Sequence, residues 1–185
     1  MKIPNSSRKK ALFVVDIQDG FIIERNKHIL PNIKKLITSQ LYDCIIYSIS
    51  YNKEWSMWYK QIWWNESPKE TDTITEIKEV FPEKNVFKVM KLTRSVFKAD
   101  TDIRPILAQY NIEEIHICGV TTYDCVYATA QESSDLWYFT FVIEEAVEAR
   151  TTPETHTKAL DTLRYLCLTN RSEFVWYKQH PFLEI

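Results

Sequence analysis

Glycine is scarce in this sequence, since Gly20 and Gly119 are the only two in 185 residues. The Gly-x-Gly-x-x-Gly fingerprint of dinucleotide-binding proteins needs three glycines, and the loop that cradles the phosphates of a nucleoside triphosphate needs two at close spacing. Neither motif can be present. We therefore exclude both kinds of nucleotide site and predict that the protein works without a cofactor.

An excess of charge of one sign and long apolar runs are also missing. The formal net charge is −2, and lysine and arginine are spread along the chain, so no basic surface for nucleic acid is indicated. No stretch approaches the roughly 18 apolar residues that span a bilayer, and the first apolar run stops at Asp16, too short for the roughly 7–15 residues of a secretory signal. We expect a cytoplasmic protein that acts on a small molecule, with neither a nucleic acid nor a membrane partner.

The four cysteines form no Cys-x-x-Cys pair and lack the spacing of a zinc site or a disulfide framework. In a reducing compartment they are expected to be free thiols. Cys44 and Cys118 lie in apolar runs and Cys167 closes a helical pattern, so these three are interpreted as small core side chains. Cys125 differs because of what surrounds it.

Apolar and β-branched runs alternate with helical patterns along the chain. Runs without strict polar alternation are typical of parallel strands covered on both faces. The alternation predicts a three-layer α/β/α, Rossmann-like domain with a mostly parallel sheet of about six strands, and the length indicates a single domain, 1–185. The predicted strands are 11–16, 44–50, 85–90, 114–119, 138–145 and 172–177, and the predicted helices are 31–41, 101–110, 121–136 and 153–166.

Three chemically distinctive positions fall at the ends of predicted strands. Asp16 closes the first strand, Lys91 follows the third, and Gly119 closes the fourth. In sheets of this kind the ligand crevice lies beyond the carboxyl ends of the strands. The three positions therefore point to one rim of the sheet, where we expect Asp16 and Lys91 to be partly exposed to solvent.

Cys125 lies in the stretch ICGVTTYDCVYATA (117–130), in the predicted first turn of a helix. Unpaired backbone N–H groups and the positive end of the helix dipole favour a thiolate there, and they can also hold a developing oxyanion. A nucleophilic cysteine needs a proton acceptor and gains from a nearby cation. Asp16 is the natural acceptor, and Lys91 places an ammonium group at the same rim.

Three segments in chain order carry a family resemblance: VDIQDGF (15–21), KLTRSVF (91–97) and CGVTTYDCVYATA (118–130). They resemble the motifs of the isochorismatase-like cysteine hydrolases, which include nicotinamidases, N-carbamoylsarcosine amidohydrolase and isochorismatases. The likeness runs from about residue 11 to the final predicted strand. It implies a catalytic triad of Asp16, Lys91 and Cys125, a cis peptide between Val120 and Thr121, and an oxyanion hole formed by the backbone N–H groups of Thr121 and Cys125.

The sequence departs from the family pattern at two positions near these segments. Tyr123 stands where relatives often carry a small or acidic residue, and the acid comes one place later, at Asp124. Trp137 takes the place of a glycine that usually precedes the fifth strand. Tyr123 adjoins the nucleophile, so we expect it to narrow or reshape the pocket and to affect the choice of substrate.

Nicotinamidase-like relatives carry a metal site built from an Asp-x-His motif after the second strand and a further histidine. This sequence has Ser50, Tyr51 and Asn52 at that place. Its four histidines are scattered without ligand spacing and are interpreted as ordinary surface or edge residues. We predict that no metal is bound.

The segment YNKEWSMWYKQIWW (51–64) holds four of the six tryptophans. Two interpretations stay open, packing or a subunit interface on one side and a lid over the substrate pocket on the other. The candidate substrate contacts are Phe21, Tyr51, Asn52, Trp55 and Tyr123. The family resemblance also implies a homo-dimer or a homo-tetramer.

The triad residues and the resemblance together predict a metal-independent cysteine amidohydrolase. It would cleave an amide or carbamoyl C–N bond of a small molecule through a thioester intermediate. Two alternatives stay open. One is vinyl-ether hydrolysis of the isochorismatase type, and the other is a binding or scaffold protein that keeps the fold without turnover.

Overall fold

A parallel five-stranded sheet forms the centre of the protein. The structure is a computed structural model that describes residues 1–62, 72–172 and 182–184. Its strands are β1 (Lys2–Pro4), β2 (Lys10–Val15), β3 (Cys44–Ser50), β4 (Val86–Lys91), β5 (Glu114–Val120), β6 (Phe139–Glu148) and β7 (Phe182–Glu184). The sheet order is β4-β3-β2-β5-β6 with all neighbours parallel, while β1 and β7 form a separate antiparallel pair.

Helices pack on both faces of the sheet. They are α1 (Leu30–Thr38), α2 (Met57–Ile62), α3 (Thr75–Lys78), α4 (Arg104–Gln109), α5 (Tyr127–Asp135) and α6 (Pro153–Tyr165). Within the described ranges, none of the helices has both the length and the apolar character needed to cross a bilayer. Side chains alternate along β2, so Phe13 packs in one apolar cluster with Leu163 of α6, and Leu12 packs in a second cluster with Leu36 of α1. These two cores make the three layers.

The predicted fold class is confirmed, with small differences in the strands. Five predicted strands are present within three residues of their predicted bounds, and 44–50 is matched at both ends. The sixth prediction, 172–177, lies outside the described residues from position 173 onward. The pair of β1 and β7 was not predicted because three-residue strands are too short to show a pattern.

The start of α6 follows the prediction made from its sequence. Pro153 occupies the first turn, and Thr152 is the N-cap. The Thr152 hydroxyl accepts a hydrogen bond from the backbone N–H of Thr155 at 3.2 Å, and the Thr155 hydroxyl accepts one from the N–H of Thr152 at 3.1 Å. This reciprocal capping box fixes where the helix begins.

Gly119 permits a close approach between the two central strands. It lies opposite Val15 in the parallel pairing of β5 and β2, with φ of 119°. A Cβ atom at this position would lie 2.1 Å from the carbonyl oxygen of Val15. Because both the backbone angle and the space exclude a side chain, the position requires glycine.

Replacing this glycine tests the close approach directly. We expect Gly119→Ala to lower the free energy of unfolding by about 2–6 kcal/mol, because strain at positive φ and overpacking each cost roughly 1–3 kcal/mol. Gly20→Ala is the matched control, since Gly20 is exposed and has a positive φ of 85°. Denaturant unfolding of both variants makes the comparison, and equal losses would show that the contact with Val15 is unimportant.

Candidate active site

The structure brings Asp16, Lys91 and Cys125 into direct contact. Asp16 follows β2, Lys91 ends β4, and Cys125 lies in a π-helical turn, Thr122–Val126, between β5 and α5. The Lys91 ammonium donates to Asp16 Oδ2 at 2.7 Å and to Cys125 Sγ at 3.3 Å. Carboxyl ends of parallel strands meet at one edge of the sheet, which explains how three distant segments supply one cluster.

Neighbouring polar groups fix the Asp16 carboxylate. Its second oxygen, Oδ1, accepts a hydrogen bond from the Ser48 hydroxyl at 2.7 Å, and the Asp16 backbone N–H donates to the same hydroxyl at 3.3 Å. The Asp16 backbone is left-handed, with φ of 53°. Ser48 was missed by sequence reasoning, although a serine inside an apolar strand that neighbours β2 is a usable signal.

The expectation that Asp16 and Lys91 are partly exposed is wrong. Their side chains are 1% and 0% exposed. Lys91 also donates to the Thr93 carbonyl at 3.1 Å, so its ammonium has three partners below the surface. Burial alone lowers the pKa of Lys91, but the Asp16 carboxylate and the Cys125 sulfur outweigh it and hold that pKa above its ordinary value. The lysine is therefore a cation at neutral pH.

Burial at Cys125 opposes the thiolate that the helix start and the nearby cation were expected to favour. Burial raises the pKa of Cys125 well above its ordinary value; Lys91 opposes this, while Asp16 and Asp124 raise the pKa further. The neutral thiol is hydrogen-bonded to Asp16. The sequence indicated the start of a helix and a nearby lysine. It did not show that the site is buried or that the Asp124 carboxylate raises the pKa of the thiol. The resting site thus holds a protonated thiol beside an ion pair.

The turn that carries Cys125 is closed by its own backbone. The peptide bond between Val120 and Thr121 is cis, as the family resemblance implies. The Thr121 carbonyl accepts hydrogen bonds from the N–H groups of Asp124 at 3.0 Å and of Val126 at 3.3 Å. Thr121 and Cys125 line the same cavity. That their N–H groups form an oxyanion hole stays a prediction.

A cavity of about 500 Å³ opens over Cys125. Its lining residues are Asp16, Phe21, Trp58, Arg94, Val120, Thr121, Tyr123, Asp124, Cys125 and Arg150. Phe21 and Tyr123 are therefore placed where the sequence predicted substrate contacts.

The other three candidate substrate contacts point elsewhere. The Tyr51 hydroxyl donates to Asp100 Oδ2 at 2.5 Å, the Asn52 side chain accepts from the Ser56 hydroxyl, and Trp55 is 63% exposed. Trp58 of α2 lines the cavity instead. Trp58 brings the aromatic segment to the pocket, and both interpretations of the segment stay predictions, since a single sequence does not tell which ring faces inward. The part of this segment from 63 onward lies outside the described residues.

Two arginines of the cavity were also missed by the sequence analysis. Arg94 pairs with Asp124 through Nε, and its guanidinium carbon lies 4.6 Å from the centre of the Trp58 ring. The guanidinium carbon of Arg150 lies 5.6 Å from the centre of the Phe21 ring. Arg150 lies two residues beyond the end of β6, which extends three residues past its predicted end at 145, so the strand-end rule applied to the sequence did not reach it.

The residues after β3 do not fit a metal site. The backbone N–H and carbonyl of Ser50 bond to the Gln18 side chain, at 2.7 and 3.1 Å, and the side chains of Tyr51 and Asn52 bond to other protein groups. In the part of the chain that the structure describes, no three histidine, cysteine, aspartate or glutamate side chains come together as a metal would require. The absence of a metal stays a prediction.

Comparison with known proteins gives one family match. The pattern of the isochorismatase domain matches residues 10–172. No curated protein matches the chain.

Many solved structures share the fold. A pyrazinamidase/nicotinamidase from Streptococcus mutans is 23% identical, with a TM-score of 0.71, over 87% of this chain and 98% of that one. An N-carbamoylsarcosine amidase from Thermoplasma acidophilum is 23% identical, with a TM-score of 0.70, over 90% and 98%. A pyrazinamidase from Pyrococcus horikoshii, solved in complex with zinc, is 21% identical, with a TM-score of 0.69, over 85% and 95%. At these identities the likeness shows the fold alone.

Removing one partner of the buried ion pair should destabilise the protein more than removing both partners. We expect Lys91→Met to lower the free energy of unfolding by about 3–5 kcal/mol, because Asp16 is left buried and unpaired. The double variant Asp16→Asn/Lys91→Met leaves neither charge behind and should lose less. Urea unfolding of the two variants and the wild type measures both quantities. A double variant less stable than Lys91→Met would contradict the stabilising role of this pairing.

Proposed function

Because the chain belongs to the isochorismatase family, we propose that it is a metal-independent cysteine hydrolase that cleaves an amide or carbamoyl C–N bond of a small molecule. One observation carries the proposal: the Cys125 thiol, the Asp16 carboxylate and the Lys91 ammonium are in mutual contact at the floor of a cavity. These are a nucleophile, a base and a charge-balancing cation within hydrogen-bond reach.

The first half of the reaction forms a thioester. The substrate carbonyl oxygen points at the backbone N–H groups of Thr121 and Cys125, which stabilise the negative charge that develops on it. Asp16 accepts the thiol proton as the sulfur attacks the carbonyl carbon. The C–N bond then breaks, Asp16 returns the proton to the leaving nitrogen, and the acyl group stays on Cys125.

The second half releases the product with water. Asp16 accepts a proton from water as its oxygen attacks the thioester carbonyl, and the sulfur leaves with a proton to restore the thiol. Lys91 remains an ammonium group throughout, holding the carboxylate in place and balancing its charge. The neutral resting thiol supports the role of Asp16, because attack then needs a base in contact with the sulfur.

Two alternative functions would use Asp16 and Cys125 differently. Vinyl-ether hydrolysis of the isochorismatase type would use Asp16 as an acid more than Cys125 as a nucleophile. A non-catalytic binding protein would need neither. The contacts of Cys125 with both partners favour the amide reaction, since a base and a cation beside a thiol are the groups that activate it as a nucleophile.

Other parts of the proposal concern the whole protein. We propose a single isochorismatase-like domain over 1–185 that assembles into a homo-dimer or homo-tetramer in the cytoplasm and acts on a small molecule.

The charged residues that line the cavity favour a substrate that carries a carboxylate. Arg94 is paired with Asp124, whereas no carboxylate among the described residues forms an ion pair with Arg150. A guanidinium group that faces a cavity without a counter-ion suits a carboxylate, which it can bind through two parallel hydrogen bonds. The aromatic rings of Phe21, Trp58 and Tyr123 surround the apolar part of such a substrate.

An acyl adduct on Cys125 tests the reaction. We expect incubation with a mixed library of small amides and carbamoyl compounds, in the presence of a chelator, to give a protein mass increase that maps to Cys125 and releases an amine. Cys125→Ala should give neither product. Turnover that persists in Cys125→Ala would favour the vinyl-ether alternative, and turnover that the chelator abolishes would contradict metal independence.

The charge preference is tested at Arg150. We expect Arg150→Gln to lower kcat/KM for a carboxylate-bearing amide by roughly 10- to 100-fold, since a hydrogen bond to a charged group contributes about 1.5–3 kcal/mol. Hydrolysis of a neutral amide of the same size should be unchanged. Arg150→Lys keeps the charge and should lose less. Equal losses for the charged and the neutral amide would rule out carboxylate recognition.

A further inference from the structure

A second polar cluster lies around the buried side chain of Glu148, at the end of β6. Arg25 holds Glu148 Oε1 at 3.1 Å and also donates to the carbonyl of the next residue, Ala149. His28 Nε2 lies 3.5 Å from Oε2. His156, in the first turns of α6, places Nδ1 3.2 Å from Oε1. Two separate segments, 25–28 and the start of α6, therefore meet at one carboxylate.

His156 also reaches the turn that carries the nucleophile. Its Nδ1 lies 2.9 Å from the Thr122 hydroxyl oxygen, and Thr122 is fully buried. A carboxylate oxygen accepts hydrogen bonds, so the 3.2 Å contact with Glu148 favours a proton on Nδ1. We infer this tautomer from the contact. The Nδ1–H group is then shared between Glu148 and Thr122.

Thr122 lies between the two groups that the reaction depends on. It follows Thr121, whose N–H is assigned to the oxyanion hole, and precedes Cys125 by three positions in the same π-helical turn. Because the Thr122 hydroxyl is hydrogen-bonded to a residue outside the turn, it resists rotation of the turn. The link runs from the end of β6, through His156, to the backbone that aims the sulfur.

Resting on the proposed function, we propose that His156 is a positioning residue that acts through Thr122 to hold the turn 121–125 in the reactive geometry. It is not among the residues that line the cavity, so it acts without touching the substrate. A small displacement of a reacting group slows a reaction steeply, which gives such a contact a measurable effect.

A purely structural role for His156 is less well supported. The start of α6 is already fixed by the Thr152–Thr155 capping box and Pro153, and Glu148 already has the Arg25 guanidinium. Burial lowers the pKa of His156, Glu148 and Glu144 raise it, and Arg25 and His28 lower it, with a net decrease. The ring is thus neutral at neutral pH and serves as a hydrogen-bond donor.

Acylation of Cys125 by p-nitrophenyl acetate provides a test that needs no natural substrate. We expect a burst of nitrophenolate in the wild type that is absent in Cys125→Ala. Thr122→Val, which keeps the shape but removes the hydroxyl, should slow the burst by roughly 10- to 100-fold with little change in the half-saturating ester concentration. Thr122→Ser should restore most of the rate.

Two further variants separate positioning from stability. His156→Leu should slow the burst as Thr122→Val does, and the double variant should be no slower, because both act through one hydrogen bond. Thr140→Val is the matched control, since Thr140 is also buried in a hydroxyl hydrogen bond, to Ser133 at 2.7 Å, but near the opposite end of β6. It should lower the melting temperature and leave the burst unchanged.

The outcomes distinguish this inference from the proposed function. A burst that survives in Cys125→Ala contradicts the nucleophile itself. A burst that Cys125→Ala abolishes, but that keeps its wild-type rate in Thr122→Val, overturns the positioning role alone. Independent, additive losses in Thr122→Val and His156→Leu would likewise overturn it.

Discussion

The buried ion pair between Lys91 and Asp16 is the interaction on which the rest of the site depends. Their 2.7 Å contact joins the ends of β4 and β2, which are separated in the sheet by β3. An unpaired charge at this depth would cost several kcal/mol, so the two strand ends are held at one level. The same ammonium group also donates to Cys125 Sγ. The lysine that joins the two strand ends is therefore also the cation beside the thiol.

The position of Cys125 depends on how closely β5 approaches β2. Gly119 lies against the Val15 carbonyl, one residue before Asp16, and so brings the turn that follows β5 over the carboxylate. The buried contacts around Thr122 then fix that turn from the other side. In a chain with only two glycines, one is required at the position that brings the acid and the thiol together.

Much of this arrangement could be predicted, and the failures have clear physical causes. Strand ends such as Asp16 and Lys91 could be assigned to one rim because parallel strands share a direction, a property that sequence patterns show. The burial of both side chains could not be predicted, since it depends on how helices and loops close over the rim. For the same reason the sequence indicated the groups that favour a thiolate at Cys125 but not the burial that opposes it. Which ring of the aromatic segment faces the cavity depends on tertiary packing, which places Trp58 of α2 there rather than Trp55 of the preceding turn.

The central claim is that the Cys125 thiol is neutral at rest and gives its proton to Asp16 only during attack. The ultraviolet absorbance of the thiolate, taken as the difference between the wild type and Cys125→Ala while the pH is raised, tests it most directly. The account predicts no thiolate signal from Cys125 at neutral pH and an onset well above the usual pKa range of cysteine. A thiolate already present at neutral pH would contradict the claim, because no base would then be needed to create the nucleophile.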